Sequence, residues 1–133
     1  MLKRERIEKA LLELGIFPNL KGFTYVTDMI MIIDSGKTDK KMEMYKMICK
    51  EHKIANVTTI VRAIRTAFEH ADYYKDTQEY KKYIGKSVTT TEKMYTIHNV
   101  LTRENGYNEL KQKAEENNTW EGQVNFIGIM KKK

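Results

Sequence analysis

The sequence predicts an all-α protein, in which a compact six-helix domain containing a helix-turn-helix is followed by a C-terminal appendage whose structure the pattern leaves open. Apolar residues recur at helical spacing along most of the chain, and capping residues and glycines bracket these stretches. The 133 residues include only 1 Pro and 7 Gly, and a hydrophobic fraction of 41% is enough to form a core. These values predict one folded domain rather than a disordered chain.

The first two helices are predicted on either side of a tight, partly buried turn. Residues 2–14 carry apolar side chains on one helical face, and Gly15 follows at the position expected for a C-terminal stop. Residues 16–22 combine proline, asparagine and glycine, which are typical turn residues. Residues 23–34 are apolar on more than one face, as in a central helix flanked by others, although their β-branched side chains leave a strand open.

A third and a fourth helix are predicted with a break of a few residues between them. Thr38 and Asp39 offer an N-cap for the third helix, which we expect to end near His52. Asn56 can cap the fourth helix, which has the clearest apolar side in the sequence. That side consists of Ile60, Ile64, Ala67, Phe68 and Ala71.

Two further helices complete the predicted domain. A short fifth helix spans residues 77–84 and is closed by Gly85, since glycine readily ends a helix. Thr89 and Glu92 have the spacing of a capping box, which marks the start of a sixth helix. Six helices are therefore expected by Arg103.

The end of the chain, residues 105–133, is expected to be a C-terminal extension of the domain at residues 1–104. Residues 107–117 look helical but carry few apolar side chains, and residues 123–129 fit either a strand or an extended arm. The three lysines at 131–133 fit either a solvated tail or a contact to phosphates. We interpret the boundary as separating a compact body from an appendage rather than two domains.

The charge balance favours an acidic partner, such as nucleic acid, over a basic one. The chain has 24 Lys and Arg against 18 Asp and Glu, a net charge of +6, although the C-terminal lysines supply half of this excess. Cys49 is the single cysteine, so we expect no internal disulfide and no cysteine-based metal cluster, which fits a reducing cytoplasm. The charged start and the short apolar runs predict neither a signal peptide nor a membrane span.

The sequence contains no pattern that predicts catalysis, a metal site or a cofactor. Gly36, Lys37 and Thr38 resemble the end of a phosphate-binding loop, but the position that needs the first glycine is Met31. The three histidines are scattered, and Cys49 has the surroundings of a small buried thiol. Carboxylates alternate with basic residues, as on a solvated helix face. An enzyme is therefore not expected.

The third and fourth predicted helices form a helix-turn-helix pattern, in which the second helix can enter a DNA major groove. If the apolar side of that helix is buried, its opposite face carries arginines and threonines. Arg62 has the planar fork that bonds guanine, whereas Arg65 is better placed for the phosphate backbone. The alternative is that both arginines are solvated and pair with Glu69. The candidate DNA-binding residues are Thr58, Thr59, Arg62, Arg65 and Thr66.

Three stretches of the sequence, taken together, indicate a protein family more specifically than any one of them does alone. They are Leu-Leu-Glu-Leu-Gly-Ile-Phe-Pro-Asn-Leu-Lys-Gly-Phe-Thr-Tyr-Val at 11–26, Val-Arg-Ala-Ile-Arg-Thr-Ala-Phe-Glu at 61–69, and Ile-Gly-Lys-Ser-Val at 84–88. In their order and spacing the chain resembles the family of C-terminal DNA-binding effector domains of stage zero sporulation protein A, the sporulation response regulator of endospore-forming bacteria. The resemblance covers roughly residues 7–104.

This resemblance implies a six-helix domain that regulates transcription in the bacterial cytoplasm by sequence-specific binding of double-stranded DNA. The family places its recognition helix in the major groove and binds repeated short boxes as paired copies, which implies a homodimer on such sites. By position, Arg62 falls on a family arginine that reads a base, and Arg65 falls on the second arginine of that motif. Thr58 and Thr66 fall on polar contact positions.

The chain also departs from the family pattern. Val61 replaces an acidic residue that reads a base, and Thr59 replaces a basic residue, so we expect a different DNA sequence to be recognised. The family's effector domain follows a phosphoacceptor receiver domain, for which this chain has no room, so a standalone domain is expected. Residues 105–133, with Trp120, have no counterpart in the family. Val61 and this extension motivate the alternative, a phage or mobile-element interaction module that binds a host protein.

Overall fold

The computed structural model describes the backbone of residues 1–117, which form helices and turns with no strand in that range. The chain divides into two compact units, Met1–Leu101 and a second that begins at Thr102. The prediction of an all-α protein with six helices is confirmed, and the strand left open for residues 23–34 is replaced by a helix. The helices are α1 Arg4–Glu13, α2 Lys21–Ser35, α3 Lys41–His52, α4 Val57–Asp72, α5 Gln78–Tyr83 and α6 Thr90–Asn117.

Helix α2 lies at the centre of the first unit and packs against α1, α3 and α4. Its apolar residues cover more than one face, so it buries side chains towards several neighbours at once. The closest approach is at Gly22, where an added Cβ would lie 2.3 Å from the carbonyl oxygen of Ala63 and 2.7 Å from Cβ of Ala67. Only glycine fits at this crossing, so the main chains of α2 and α4 lie close together there.

The turn between α1 and α2 is built around Gly15, as the sequence predicts. Gly15 has φ +86°, a left-handed conformation that glycine adopts without steric cost. An added Cβ at Gly15 would lie 2.4 Å from two atoms of the Tyr74 ring, so this glycine also makes room for the segment that follows α4. Helix α1 begins at Arg4 rather than Leu2, because Lys3 has an extended backbone conformation (φ -87°, ψ 142°). The Leu2 N–H donates to Oδ2 of Asp34 at 2.9 Å.

The predicted cap of α3 is wrong in detail. The N-cap residue is Lys40, which makes no side-chain cap hydrogen bond, and the helix begins one residue later. The hydroxyl of Thr38 accepts from the Lys40 N–H at 3.1 Å and donates to a carboxylate oxygen of Glu43 at 2.5 Å. Thr38 therefore shapes the turn before the helix rather than its first turn.

Helix α6 begins at the predicted capping box, and α5 begins one residue later than predicted, with Thr77 as its N-cap. Thr77 accepts from the Tyr80 N–H at 3.2 Å, and Thr89 and Glu92 form the reciprocal bonds of a capping box at 3.1 and 3.3 Å. Helix α6 continues through Gly106 to Asn117 without a break, because one glycine costs a helix only about 1 kcal/mol. The strand or arm expected at residues 123–129 lies outside the described residues.

Candidate nucleic-acid interface

The turn between α3 and α4 consists of four residues, 53–56, and fixes where α4 begins. Lys53 has φ 56°, and the N–H of Ile54 donates to the carbonyl oxygen of Cys49 at 2.8 Å, so the last turn of α3 is closed by a left-handed residue. Asn56 then accepts from the Thr58 N–H at 2.9 Å through its side-chain oxygen. The predicted cap of the fourth helix is confirmed, and α3 and α4 form the expected helix-turn-helix.

Helix α4 has one buried side and one exposed side, as its apolar spacing predicts. Ile60, Ile64, Ala67, Phe68 and Ala71 are all at most 1% exposed. The candidate residues lie on the other side, so a surface partner can reach them. Thr58, Thr59, Arg62, Arg65 and Thr66 are all exposed, as is Glu69.

The two arginines of this face do not pair with Glu69. Among the residues that the structure describes, neither Arg62 nor Arg65 forms a salt bridge, although Arg65 and Glu69 stand four residues apart on the helix. The structure therefore does not contain the intrahelical pairing that the alternative interpretation required. Both guanidinium groups keep their donors for solvent or for a partner.

Val61, in contrast, is partly buried and packs against the core. The sequence left open whether this residue is an exposed anchor for a protein partner or an ordinary border residue of the helix. Its position supports the second interpretation, since a side chain already in contact with the core offers little apolar area to a partner.

Arg65 lies where three helices meet. Burial raises the pKa of Tyr45 on α3 above its ordinary value, while a hydrogen bond with Thr91 and the charge of Arg65 act in the opposite direction. Tyr45 therefore stands within electrostatic reach of both Arg65 on α4 and the first turn of α6. A cleft of about 350 Å³ beside Arg65 is lined by Phe68, Glu69, Asp72, Val88, Thr89, Thr90 and Lys93.

A polar network holds the C-terminal end of α4. Lys93 on α6 is 8% exposed, and its Nζ lies 3.4 Å from Oδ1 of Asp72 and 5.8 Å from the centre of the Phe68 ring. The Tyr80 hydroxyl on α5 donates to the same Asp72 oxygen at 2.6 Å. Burial, together with the Asp72 carboxylate, raises the pKa of Tyr80 to about 12. Asp72 thus joins three helices at the end of the candidate recognition helix.

Two of the histidines that the sequence treats as scattered are paired with carboxylates of α2. Nε2 of His98 lies 3.0 Å from Asp34, and Nε2 of His52 lies 2.7 Å from Asp28, which also accepts from Arg4 at 2.8 Å. Burial alone would raise the pKa of Asp34, but hydrogen bonds from Leu2 and His98 lower it below its ordinary value. A sequence signal existed, because carboxylates inside an apolar helix need polar partners.

Asp28, His52 and Glu51 are close enough to share a cation. Both oxygens of the buried Asp28 already accept hydrogen bonds, one from the Arg4 guanidinium and one from His52. The positive charge of Arg4 opposes a second cation beside it. We interpret this cluster as a structural tie between α1, α2 and α3.

The comparison with protein families matches residues 7–103 to the family described as sporulation initiation factor Spo0A C terminal. The chain belongs to this family. The match covers most of the chain and begins and ends almost where the resemblance in the sequence does. It spans all three stretches that carry the resemblance, including the Arg-Ala-Ile-Arg motif of α4.

Membership of this family indicates a DNA-binding effector domain rather than an enzyme. No match was found among curated proteins or among solved structures. Within residues 1–117, no helix is both long and apolar enough to span a membrane.

Sequence reasoning missed the residues that position α4. The Gly22 crossing had a signal in the sequence, because Ala63 and Ala67 are small residues four apart on the apolar edge of α4. No sequence signal indicates the roles of Tyr45 and Lys93, because these roles depend on which helices become neighbours in the fold.

Proposed function

We propose that this chain binds double-stranded DNA sequence-specifically, with α4 in the major groove, and regulates transcription. The observation that carries the proposal is the exposed face of α4, where two arginines and three threonines stand clear of the core and no carboxylate pairs with either arginine in the described residues. A helix capped at its N-terminus and packed firmly along its apolar side is suited to enter a groove.

The exposed residues have different proposed roles, which follow from their positions along α4. Arg62 and Thr59, near the N-terminal part of α4, discriminate bases, because recognition helices contact base edges there. Arg65 and Thr66, farther along, bind the phosphate backbone, and Thr58 binds either a base edge or a phosphate. Because Val61 and Thr59 stand at family contact positions, the recognised box differs from the family's own.

Selection from random duplex DNA followed by sequencing tests this function directly. We expect one short box to be enriched at moderate salt. Copies of the chain are expected to bind repeated boxes as a homodimer, so a duplex with two boxes should bind two chains and a duplex with one box should bind one. The alternative, a module that binds a host protein, predicts no enriched sequence and capture of one protein that survives nuclease treatment.

The variants Arg62→Ala and Arg65→Ala form a matched pair for the enriched box. Arg62→Ala should lose about 1 to 3 kcal/mol of binding free energy and relax specificity at one base position. Arg65→Ala should weaken binding to all sequences alike and reduce the slope of affinity against salt by about 1. Titrations of the box and of its single-base variants measure both effects. Unchanged selectivity in Arg62→Ala would contradict its role as a base reader.

A further inference from the structure

The C-terminal end of α4 presents a surface that differs from the rest of its exposed face. A cleft of about 390 Å³ opens beside the last turn of the helix, and we call it the Tyr73 cleft. Tyr73 lines this cleft and is 85% exposed, so its ring is hardly used in packing. Two carboxylates also line the cleft, whereas no lysine or arginine of the described residues does. The lining residues are Thr66, Glu69, His70, Asp72 and Tyr73.

Glu69 has no partner that explains its place in the Tyr73 cleft. Within residues 1–117 its carboxylate forms no hydrogen bond and no salt bridge, whereas Asp72 is bound by Tyr80 and Lys93. Both acidic residues stand in the last turn of α4, where the helix dipole favours a cation over a carboxylate. The fold therefore leaves Glu69 in an unfavourable position that an external cation would relieve.

The Tyr73 cleft combines two groups that recognise the cationic head of a lysine or an arginine. The face of an aromatic ring attracts a cation, and a carboxylate accepts charge-assisted hydrogen bonds from it. The phosphates of DNA are repelled by the same carboxylates. The cleft nevertheless borders the proposed DNA-binding face, because Thr66 belongs to both. A partner that fills the cleft therefore stands beside the duplex and carries positive charge.

We propose that the Tyr73 cleft receives a lysine or arginine side chain from a second copy of this chain, bound to the neighbouring box. This inference rests on the proposed function and names the contact between the two copies. A second copy supplies the complementary charge, since the chain carries 24 Lys and Arg against 18 Asp and Glu. The contact involves one side chain and is far smaller than the roughly 1,200 Å² that stable interfaces bury, so it forms only where DNA holds both copies at high effective concentration.

Binding to duplexes that carry one or two copies of the enriched box tests this contact. Cooperativity is the affinity for the second box when the first is occupied, divided by the affinity for a single box. We expect about tenfold for wild type, the size expected of one exposed cation–π contact together with one exposed ion pair. Tyr73→Ala should lower this value to about threefold or less, and Tyr73→Phe should keep it, because the ring face remains. Glu69→Lys should abolish cooperativity while strengthening binding to a single box, since positive charge attracts phosphates.

The controls are Tyr107→Ala and Glu5→Lys, which make the same changes at exposed positions on α6 and α1. Both should keep the cooperativity of wild type, and thermal unfolding should confirm that every variant folds. An equal loss in controls and variants, or full cooperativity in Tyr73→Ala and Glu69→Lys, overturns the proposal. If wild type binds its box and Arg62→Ala loses selectivity, but two boxes are filled independently, only this inference fails. If wild type enriches no box, the proposed function fails with it.

Discussion

The two ends of α4 are held in different ways. Towards its N-terminus, contacts that involve the main chain position the helix: the Asn56 side-chain cap on the Thr58 N–H, the left-handed Lys53 and the glycine crossing at Ala63. At its C-terminus, side chains from three helices converge on Asp72. The residues proposed to read bases lie close to the end that the main chain fixes.

The two ends of α4 are expected to contribute differently to the position of the helix and to the stability of the protein. Main-chain contacts allow little adjustment, because a cap and a helix crossing either fit or clash. Side-chain contacts to the partly exposed Asp72 can rearrange, and its charge is shared with solvent. We therefore expect changes near the N-terminal half of α4 to alter DNA binding and stability together, and changes at Asp72 to alter mainly stability.

The largest expected effect comes from Gly22→Ala. The new methyl group would lie 2.3 Å from the Ala63 carbonyl oxygen, which is main chain and cannot rotate away, so α2 and α4 must separate. We expect a loss of about 3 kcal/mol in the free energy of unfolding, at the upper end of the range for overpacked cores. Urea unfolding followed by circular dichroism measures this loss.

Gly106→Ala is the matched control for that prediction. Gly106 is also inside a helix, but nothing lies within 4 Å of its added Cβ. This variant should be stabilised by up to about 1 kcal/mol, because alanine is the better helix former. Equal effects of the two substitutions would contradict the close crossing of α2 and α4.

A smaller effect is expected when the Tyr80 hydroxyl is removed at the other end of α4. The hydrogen bond to Asp72 should make wild type more stable than Tyr80→Phe by about 1 kcal/mol at neutral pH. Because folding raises the pKa of Tyr80 from 10.0 to about 12, this advantage is complete below pH 10 and is lost as the pH rises towards 12.

Unfolding of both proteins from pH 8 to 12 measures this difference. Subtracting the variant's stability from that of wild type removes the contribution of every other titrating group. A difference that stays constant up to pH 12 would contradict the bond. DNA affinity at neutral pH should be nearly the same in both proteins, because this end of α4 is not the end proposed to read bases.

The sequence predicts the parts of this arrangement that depend on neighbouring residues. Apolar spacing identifies the buried side of α4, and Asn56 identifies its first turn, because both signals act within one helix. It does not predict the Asp72 network, because nothing in the chain indicates that α5 and α6 meet at that carboxylate. It misplaces the cap of α3, because Thr38 bonds within the turn and not within the helix.

The left-handed conformation of Lys53 was not predicted from the sequence. Glycine is the residue that signals a left-handed helix end, and here a lysine occupies that conformation. The sequence therefore predicts the break between α3 and α4, but not the left-handed residue that closes α3. The structure identifies this residue through its φ of 56°.

The smallest expected effect on stability comes from Lys53→Gly. Relief of the left-handed strain, offset by the greater freedom of glycine in the unfolded chain, should stabilise the protein by about 0.5 kcal/mol. The same substitution removes a positive charge from the exposed turn of the helix-turn-helix, so DNA binding should weaken and its dependence on salt should become less steep. Lys53→Asn is the control, because asparagine tolerates this conformation and also lacks the charge. Stability and affinity should therefore move in opposite directions in both variants, and a gain in stability with unchanged DNA binding would show that Lys53 lies outside the interface.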